Sequence, residues 1–303
     1  MPKVFSIIVT YNAEKNNWLY KCIDSLISSE LKTAIIIVDN FSTDSTCEII
    51  KKRYPSVFLI ENKQNLGFGK ANNVGIKKAY ELGADYFFLL NQDAWIENET
   101  ILKLVKIAKQ NPEFGILSPM HLNGKGNALD YNFSYYLSVN FCKNIFSDIY
   151  MRNFEDKIYS LKFVNAACWL ISKGCIETVG GFSPTFFHYG EDVNYCHRLL
   201  YHGYEIGVVP DARVYHDREE RPSSVFFDNS LKYKRKIVLF LSNPFSINIF
   251  KFLFIILRIQ NWRKLFFTTK IISSIDLKNL LKNRKISKKK GMRFLDLKYI
   301  KKE

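Results

Sequence analysis

The first hundred residues of this chain alternate short apolar runs with segments of helical periodicity, and no other feature constrains the fold as strongly. Apolar runs at 4–10, 34–38, 57–60 and 86–90 predict β-strands, and a segment with apolar residues at three- and four-residue spacing follows each of them. Repeated strand–helix units build a mostly parallel sheet with helices packed on its faces. The chain is therefore predicted to have an α/β fold.

Polar residues follow each predicted strand. Ligands bind beyond the carboxyl ends of the strands in open sheets of this kind, so we expect these residues to share one crevice. Two phosphate-binding motifs are missing: no G-x-G-x-x-G follows the first strand, and Gly69-Lys70-Ala71 lacks the flanking residues of a P-loop. A dinucleotide-dependent dehydrogenase and a P-loop NTPase are therefore not favoured. The polar segments are Thr10-Tyr11-Asn12, Asp39-Asn40, Asn65-Leu66-Gly67 and Asn91-Gln92-Asp93.

Several titratable residues in this pattern can carry chemistry. Asp39 ends a buried strand, where its carboxylate either accepts the N–H of a pyrimidine base or orders the following loop. Asp93 ends the fourth strand, and a carboxylate there can bind a divalent cation that bridges a diphosphate. Glu191 and Asp192 begin a predicted helix, whose N-terminus favours an ionised general base; ordinary helix capping is the alternative. His216 follows a strand-like segment, and a neutral imidazole there suits a metal already held by Asp93.

The order of these motifs over residues 2–216 resembles the family 2 glycosyltransferases of the GT-A fold. The resemblance is strongest to the rhamnosyltransferase-like branch of bacterial surface-polysaccharide enzymes. It implies a GT-A fold, a Rossmann-like and mostly parallel sheet flanked by helices. The matching segments are 6–12, 38–44, 65–69 with 72–75, 90–94, and 180–182 leading to 190–193.

The resemblance also assigns roles to individual residues. It implies a Mg²⁺ or Mn²⁺ ion held by Asp93, as the last acid of the family's D-x-D motif, and approached by His216. The implied catalytic residues are Asp192, as the base, and Glu191. Asn91 replaces the first acid of D-x-D, which leaves fewer negative ligands for the metal. The residues expected to bind the donor are Thr10, Tyr11, Asn12, Asp39, Asn40, Asn65, Gly67, Lys70, Asn73, Asn91, Gln92 and Asp93.

The expected function is that of an inverting hexosyl- or rhamnosyltransferase in bacterial surface-polysaccharide synthesis. The donor is expected to be a UDP- or dTDP-sugar, and the acceptor a hydroxyl of a glycan or a lipid-linked glycan. The alternative is a non-catalytic nucleotide-sugar-binding subunit of a membrane-bound glycan assembly complex. Such a subunit would need only Asp39 and Asp93, so the Glu191-Asp192 pair argues against it.

The excess of positive over negative charge is confined to the last quarter of the chain. Residues 1–225 carry 24 Lys and Arg against 25 Asp and Glu, whereas residues 226–303 carry 20 against 4. We therefore expect a catalytic domain over 1–225 and, over 226–303, a basic amphipathic helical extension that lies on an anionic membrane surface. A helical cap on the catalytic domain and a transmembrane hairpin are the alternatives. The uncharged run 237–250 contains Pro244 and is short for a spanning helix.

Nucleic acid is not an expected partner of the basic region. Its aromatic residues cluster with aliphatic ones and do not alternate with the basic residues as in a base-stacking surface. The six cysteines form no C-x-x-C pair, and the first residues lack the pattern of a signal peptide. The expected location is therefore cytoplasmic, peripheral on the inner face of the cell membrane.

Overall fold

A sheet of nine strands lies at the centre of the part of the chain that the computed structural model describes, residues 2–14, 17–137, 139–218, 229–246 and 262–295. The strands follow the order β3-β2-β1-β4-β8-β6-β9-β5, and β7 pairs with β9. In chain order they are β1 (Val4–Thr10), β2 (Ala34–Asp39), β3 (Phe58–Glu61), β4 (Tyr86–Asn91), β5 (Ala94–Ile96), β6 (Phe114–Asn123), β7 (Tyr159–Leu161), β8 (Cys168–Ser172) and β9 (Glu205–His216).

The first four strands form the parallel half of this sheet. β1 pairs in parallel with β2 and β4, and β2 pairs in parallel with β3. The register places Thr10 beside Asp39 and Val9 beside Asn91, so three strand ends reach the same edge. These contacts confirm the expected GT-A-like α/β fold with a mostly parallel central sheet.

The second half of the sheet contains antiparallel strands and delivers His216 to the same edge. β8 lies antiparallel between β4 and β6, and β9 is parallel to β6 and antiparallel to β5. β9 continues from Glu205 to His216 across a bulge at residues 210–212, where its partner passes from Pro119 to Met120. The β5 pairing places Ala94 opposite His216.

Helices cover both faces of the sheet. Alternate residues of β1 point to opposite faces, so Ile7 joins the core beneath α3 while Ile8 joins the core beneath α1. In chain order the helices of this part are α1 (Trp18–Ser28), α2 (Thr46–Arg53), α3 (Phe68–Glu81), α4 (Thr100–Gln110), α5 (Tyr131–Ser134), α6 (Ile145–Tyr150), α7 (Lys173–Val179) and α8 (Glu191–Tyr201).

Three further helices, α9 (Asn229–Ser242), α10 (Trp262–Ser273) and α11 (Leu277–Ser287), pack against the preceding fold. A third apolar cluster joins Ile237 and Leu241 of α9 to Phe186, with Ile271 and Leu280 from the other two helices. Hydrogen bonds from Asn194 to Ser242 and from Asn283 to Thr185 cross the same boundary. The described helices of the basic region therefore cap the catalytic fold. A helical cap was one of the two alternatives to a membrane-surface extension.

The contacts of the described helices do not show the expected membrane-associating extension. Within the described ranges, no helix combines the length and the apolar character needed to cross a membrane. The predicted boundary at 225–226 and the last four residues of the uncharged run, 247–250, lie outside the described residues.

Candidate active site

The Asp39 carboxylate organises the loop that follows β2. The Thr10 hydroxyl donates to Asp39 Oδ1 at 3.0 Å, and the Ser42 hydroxyl donates to the same oxygen at 2.5 Å. Oδ2 accepts from the Ser42 N–H at 2.9 Å, and the side chain is only 2% exposed. The Cys47 thiol also hydrogen-bonds to this carboxylate, so Asp39 orders its loop through several donors.

The ends of β1 and β4 are tied together by Gln92. Its amide accepts from the Tyr11 N–H at 2.8 Å and donates to the Tyr11 carbonyl at 3.2 Å. Asn12 has a positive φ of 48° and accepts from the Thr43 N–H at 2.9 Å. The Tyr11 ring stays exposed, and so does Phe41, which the sequence reasoning missed although it directly follows a polar strand end. Two exposed aromatic rings therefore flank the Asp39 loop.

Asn40 and Asn65 shape the turn before α3. Asn40 donates to Asn65 Oδ1 at 2.9 Å and accepts from the Leu66 N–H, while Asn65 Oδ1 also accepts from the Gly67 N–H. Gly67 has φ +78°, and a Cβ there would lie 2.1 Å from the Phe187 carbonyl oxygen. The turn therefore presses the N-terminus of α3 against the loop that precedes α8.

Two of the expected donor-binding residues lie on α3 itself. Lys70 is half-buried in the first turn. Asn73 is 1% exposed, and its amide donates to the carbonyls of Phe182 and Phe294 and accepts from the Phe182 N–H. The whole amide of Asn73 is thus used to hold backbone segments together, and a role of Asn73 beside the donor stays a prediction.

Asp93 and His216 meet at the β4–β5 turn. His216 Nε2 lies 3.5 Å from Asp93 Oδ1, and the two side chains are 2% and 3% exposed. Among the described residues, neither imidazole nitrogen has a hydrogen-bond partner. Burial, with a smaller contribution from the Arg218 charge, lowers the pKa of His216 to about 3. The imidazole is therefore neutral near pH 7.

Four residues that the sequence analysis did not single out surround this pair: Trp18, Asp130, Asp217 and Arg218. Asp130 Oδ2 lies 3.6 Å from His216 Nδ1 and accepts from Arg218 Nε at 2.7 Å. The Asp217 N–H donates to the Asp93 carbonyl, and the Trp18 indole donates to Asp217. Asp130 lies in a stretch without clear periodicity, so no local signal marks it. Arg218 and Asp217 directly follow His216, and that adjacency was the available signal.

The Asp93–His216 pair fits a divalent cation that takes most of its ligands from substrate and water. Within the described residues, no group of three or more His, Cys, Asp or Glu is arranged as a metal cluster. Two ligand atoms of an octahedral ion with bonds of about 2.1 Å lie about 3 Å apart, close to the observed 3.5 Å. A buried neutral nitrogen without a hydrogen-bond partner beside a carboxylate is a suitable donor set.

The Glu191-Asp192 pair begins α8 directly after Gly190, which has φ +104°. Glu191 is 4% exposed, and its Oε2 has no hydrogen-bond partner. Burial, followed by the neighbouring Asp192 charge, raises the pKa of Glu191 to about 8. Burial also raises the pKa of Asp192, while N–H groups of Val193 and Ala166 donate to its carboxylate and favour the charge. The two acids thus differ in how well their charged forms are solvated.

Backbone contacts bring the two acidic centres to one edge of the sheet. The Asn91 N–H donates to the Ala167 carbonyl at 2.9 Å, and the N–H of the adjacent Ala166 donates to the Asp192 carboxylate. Burial, then the charges of Asp192 and Asp130, raise the pKa of Tyr136 to about 12, and Arg218 opposes them. Carboxylates from both sides of the site thus act on the charge of the Tyr136 phenol. The arrangement has the Glu191-Asp192 pair on one side and the Asp93–His216 pair on the other.

Comparisons with known proteins agree with this architecture. The family model described as "Glycosyl transferase family 2" matches residues 6–178. The chain is 28% identical over 216 residues to the dTDP-rhamnosyl transferase RfbF of Shigella flexneri, which covers 70% of this chain and 68% of the relative. It is 26% identical over 211 residues to an N-acetylglucosaminyl-diphospho-decaprenol L-rhamnosyltransferase of Mycobacterium tuberculosis, covering 63% of this chain and 69% of the relative.

The fold also resembles a solved glycosyltransferase structure. GalNAc-T7, crystallised with UDP, GalNAc and Mn²⁺, superposes with a TM-score of 0.61 at 15% identity. The match covers 98% of this chain and 57% of the GalNAc-T7 chain, which is less than two thirds of that protein. At this identity the likeness concerns the fold alone. Because the family model spans more than half of the chain, and rhamnosyltransferases are among its relatives, this protein belongs to glycosyltransferase family 2.

Proposed function

We propose that this protein transfers a hexosyl or rhamnosyl group from a nucleoside diphosphate sugar to an acceptor hydroxyl, with inversion at the anomeric carbon. The donor is proposed to be a dTDP- or UDP-sugar. A dTDP-rhamnosyl transferase among the relatives and UDP in the GalNAc-T7 structure support this choice. The reaction is proposed to serve polysaccharide synthesis.

The nucleoside is proposed to lie over the Asp39 loop. The Asp39 carboxylate suits a base N–H, and the exposed Tyr11 and Phe41 rings provide apolar surface beside it. The diphosphate then extends toward Asp93 and His216 along the β4 end. When bound there, Mg²⁺ or Mn²⁺ would neutralise charge on the leaving diphosphate. Asn91 contributes no charge, so we expect weaker metal affinity than a D-x-D pair would give.

Asp192 is proposed to be the general base. Its carboxylate, held ionised by two N–H donors, accepts the proton of the acceptor hydroxyl while that oxygen attacks the anomeric carbon. The bond from the anomeric carbon to the diphosphate oxygen breaks as the new glycosidic bond forms on the opposite face. A single displacement of this kind inverts the configuration. Glu191 remains protonated beside the base and does not compete for the charge.

One observation carries this proposal. The link from Asn91 through Ala167 and Ala166 to Asp192 supports a common edge of the sheet for Asp192 and the Asp93–His216 pair, although about a hundred residues separate the two acids. A sugar can lie between two such centres only when they share an edge. A subunit that only binds a nucleotide sugar would not need the Glu191-Asp192 pair.

The acceptor and the cellular location of the protein are proposed as well. The acceptor is proposed to be a glycan or a lipid-linked glycan, in line with the diphospho-decaprenol acceptor in the name of the mycobacterial relative. Residues 226–303, with 20 basic against 4 acidic residues, are proposed to bring the enzyme to the inner face of the cell membrane.

A donor panel tests the activity. UDP-, dTDP- and GDP-sugars are assayed for release of the nucleoside diphosphate with Mg²⁺, Mn²⁺ or a chelator, with and without a lipid-linked acceptor. We expect one nucleotide to be preferred and turnover to fall with the chelator. Asp192→Asn should bind the nucleotide normally and lose at least about 100-fold in turnover. Asp156→Asn, at an exposed ion pair with Lys106, is the control. Full turnover in Asp192→Asn would remove the assigned base.

A further inference from the structure

A basic cavity lies on α9, outside the donor and metal residues described above. It has a volume of about 340 Å³, and the described residues that line it are Lys232, Tyr233, Arg235, Lys236 and Leu239. Three of these five side chains are cationic and none is acidic. The volume falls at the lower end of the range for small-molecule sites. The cavity therefore suits one small anionic group.

The helix that carries this basic face is held in place. Ile237, Val238 and Leu241 bury the opposite face of α9 against Phe186 and the other C-terminal helices. The Asn194 amide of α8 also donates to Ser242 at 3.1 Å. Lys232 and Lys236 are four residues apart, about one helical turn or 6 Å, and both are exposed. The cations thus have a defined position relative to the catalytic fold and are not part of a solvated tail.

Arg235 connects the cavity to the proposed base. Its guanidinium lies 5.0 Å from the centre of the Tyr189 ring, and its Cγ would be 3.4 Å from a Cβ at Gly190. These are the two residues immediately before Glu191 and Asp192. An anion bound in the cavity would therefore lie next to the place where the acceptor hydroxyl must be deprotonated.

We propose that this cavity binds the phosphate or diphosphate group of the acceptor, so that the acceptor sugar beyond it reaches Asp192. The inference rests on the proposed function, because it presupposes that an acceptor enters beside α8. Arginine and lysine bind phosphate oxygens through charge-assisted hydrogen bonds. Tyr233 and Leu239 add an aromatic and an aliphatic wall, which suits the first part of a prenyl chain joined to that phosphate.

Binding of farnesyl diphosphate to the full chain, with Mn²⁺ and saturating UDP present, tests the site. Titrations with inorganic pyrophosphate separate the anion from its lipid, and titrations with farnesol separate the lipid from its anion. We expect Lys232→Ala/Lys236→Ala to weaken farnesyl diphosphate binding at least tenfold. The matched control Lys278→Ala/Lys282→Ala removes two exposed lysines with the same spacing on α11 and should change it less than twofold.

Three results would overturn the proposal. Equal weakening in the two double variants would show that only the overall positive charge attracts the anion. Loss of farnesyl diphosphate binding when UDP saturates would place the anion in the donor site. Binding to phosphatidylglycerol vesicles without binding to farnesyl diphosphate would show a membrane surface and not a phosphate site. UDP binding is titrated separately, so a failure of the donor site is distinguishable from a failure of this one.

Discussion

The carboxyl groups of Glu191 and Asp192 are neighbours in sequence but have different surroundings. Glu191 has an unpartnered buried oxygen, and burial raises its pKa to about 8. The Asp192 carboxylate instead accepts backbone N–H groups from Val193 and Ala166. Since two adjacent carboxylates resist ionising together, the better solvated one takes the charge. This difference favours the charge on Asp192, the proposed base, and keeps Glu191 protonated near pH 7.

The Glu191 pKa predicts a pH-dependent stability. Its pKa is raised from 4.5 to about 8 in the folded protein, so above pH 4.5 the unfolded chain releases a proton that the folded chain keeps. The stability from this neutral carboxyl is complete below pH 4.5 and is lost as the pH rises to 8. Glu191→Gln cannot ionise, so its Tm relative to wild type should rise by about 2 °C or more between pH 5 and pH 9.

Thermal unfolding of both proteins across this pH range checks the prediction. Glu30→Gln, at an exposed position, is the control and should show a constant Tm difference. A Tm difference for Glu191→Gln that does not change with pH would contradict the assignment of a proton to this side chain.

At the scale of elements, the turn before α3 joins the donor loop to the segment that leads into α8. The Phe68 N–H donates to the Phe187 carbonyl at 3.2 Å, and Gly67 leaves room for that carbonyl. Asn65 and Asn40 hold the other side of the turn. The proposed donor and acceptor sides are therefore coupled through one close backbone contact.

Gly67→Ala should disrupt this contact. The added Cβ would lie 2.1 Å from the Phe187 oxygen and would also force a positive φ on alanine. Gly203→Ala is a matched control, because Gly203 has φ +86° and nothing within 4 Å of its Cβ position. We expect about 1–2 kcal/mol of lost stability in the control from backbone strain alone. Gly67→Ala should lose more and also weaken UDP binding at least tenfold; equal behaviour of the two variants in both assays would contradict the coupling.

At the scale of the whole molecule, the C-terminal residues complete the catalytic fold. The Gly181 N–H donates to the Arg293 carbonyl, and Asn73 donates to the Phe294 carbonyl. The Phe294 ring is buried 5.2 Å from the Arg198 guanidinium. Arg198 itself is fully buried and donates to the carbonyls of Val179 and Gly181. The C-terminal segment thus covers polar groups that would otherwise lack partners.

Removal of residues 226–303 should therefore destabilise the remaining domain. Loss of buried hydrogen-bond partners costs about 1–3 kcal/mol for each group, and Phe186 would become exposed. We expect a Tm lowered by more than 5 °C, or aggregation. A chain ending at Leu295 keeps the contacts described here and serves as the control. An unchanged Tm after removal of 226–303 would contradict the structural role.

The same contacts affect how membrane association is tested. A truncated protein that sediments because it aggregates would resemble one that is still bound to membrane. Charge substitutions at exposed lysines of α11 such as Lys282 and Lys285 leave the buried contacts in place. Flotation with phosphatidylglycerol vesicles then measures membrane association directly.

The strands and their polar ends could be read from the sequence, and the arrangement of the site could not. A fully buried parallel strand is a run of apolar residues, so β1, β2 and β4 are marked by their own residues. Asn73 has no such mark: its role depends on Phe182 and on Phe294, which lies 221 positions away. The sequence alone did not indicate this role, because a polar residue after a donor loop looks the same whether it faces a ligand or the backbone.

The sequence by itself determined the α/β alternation, the polar strand ends and the division into a neutral and a basic region, because each depends on neighbouring residues. Only the tertiary structure decided that His216 meets Asp93, since this requires β9 to pair with β5 across more than a hundred residues. It also decided that the imidazole is neutral, because burial sets its charge. The position of the C-terminal helices on the catalytic fold was also decided by the tertiary structure, because their apolar faces contact Phe186 only after the chain has folded.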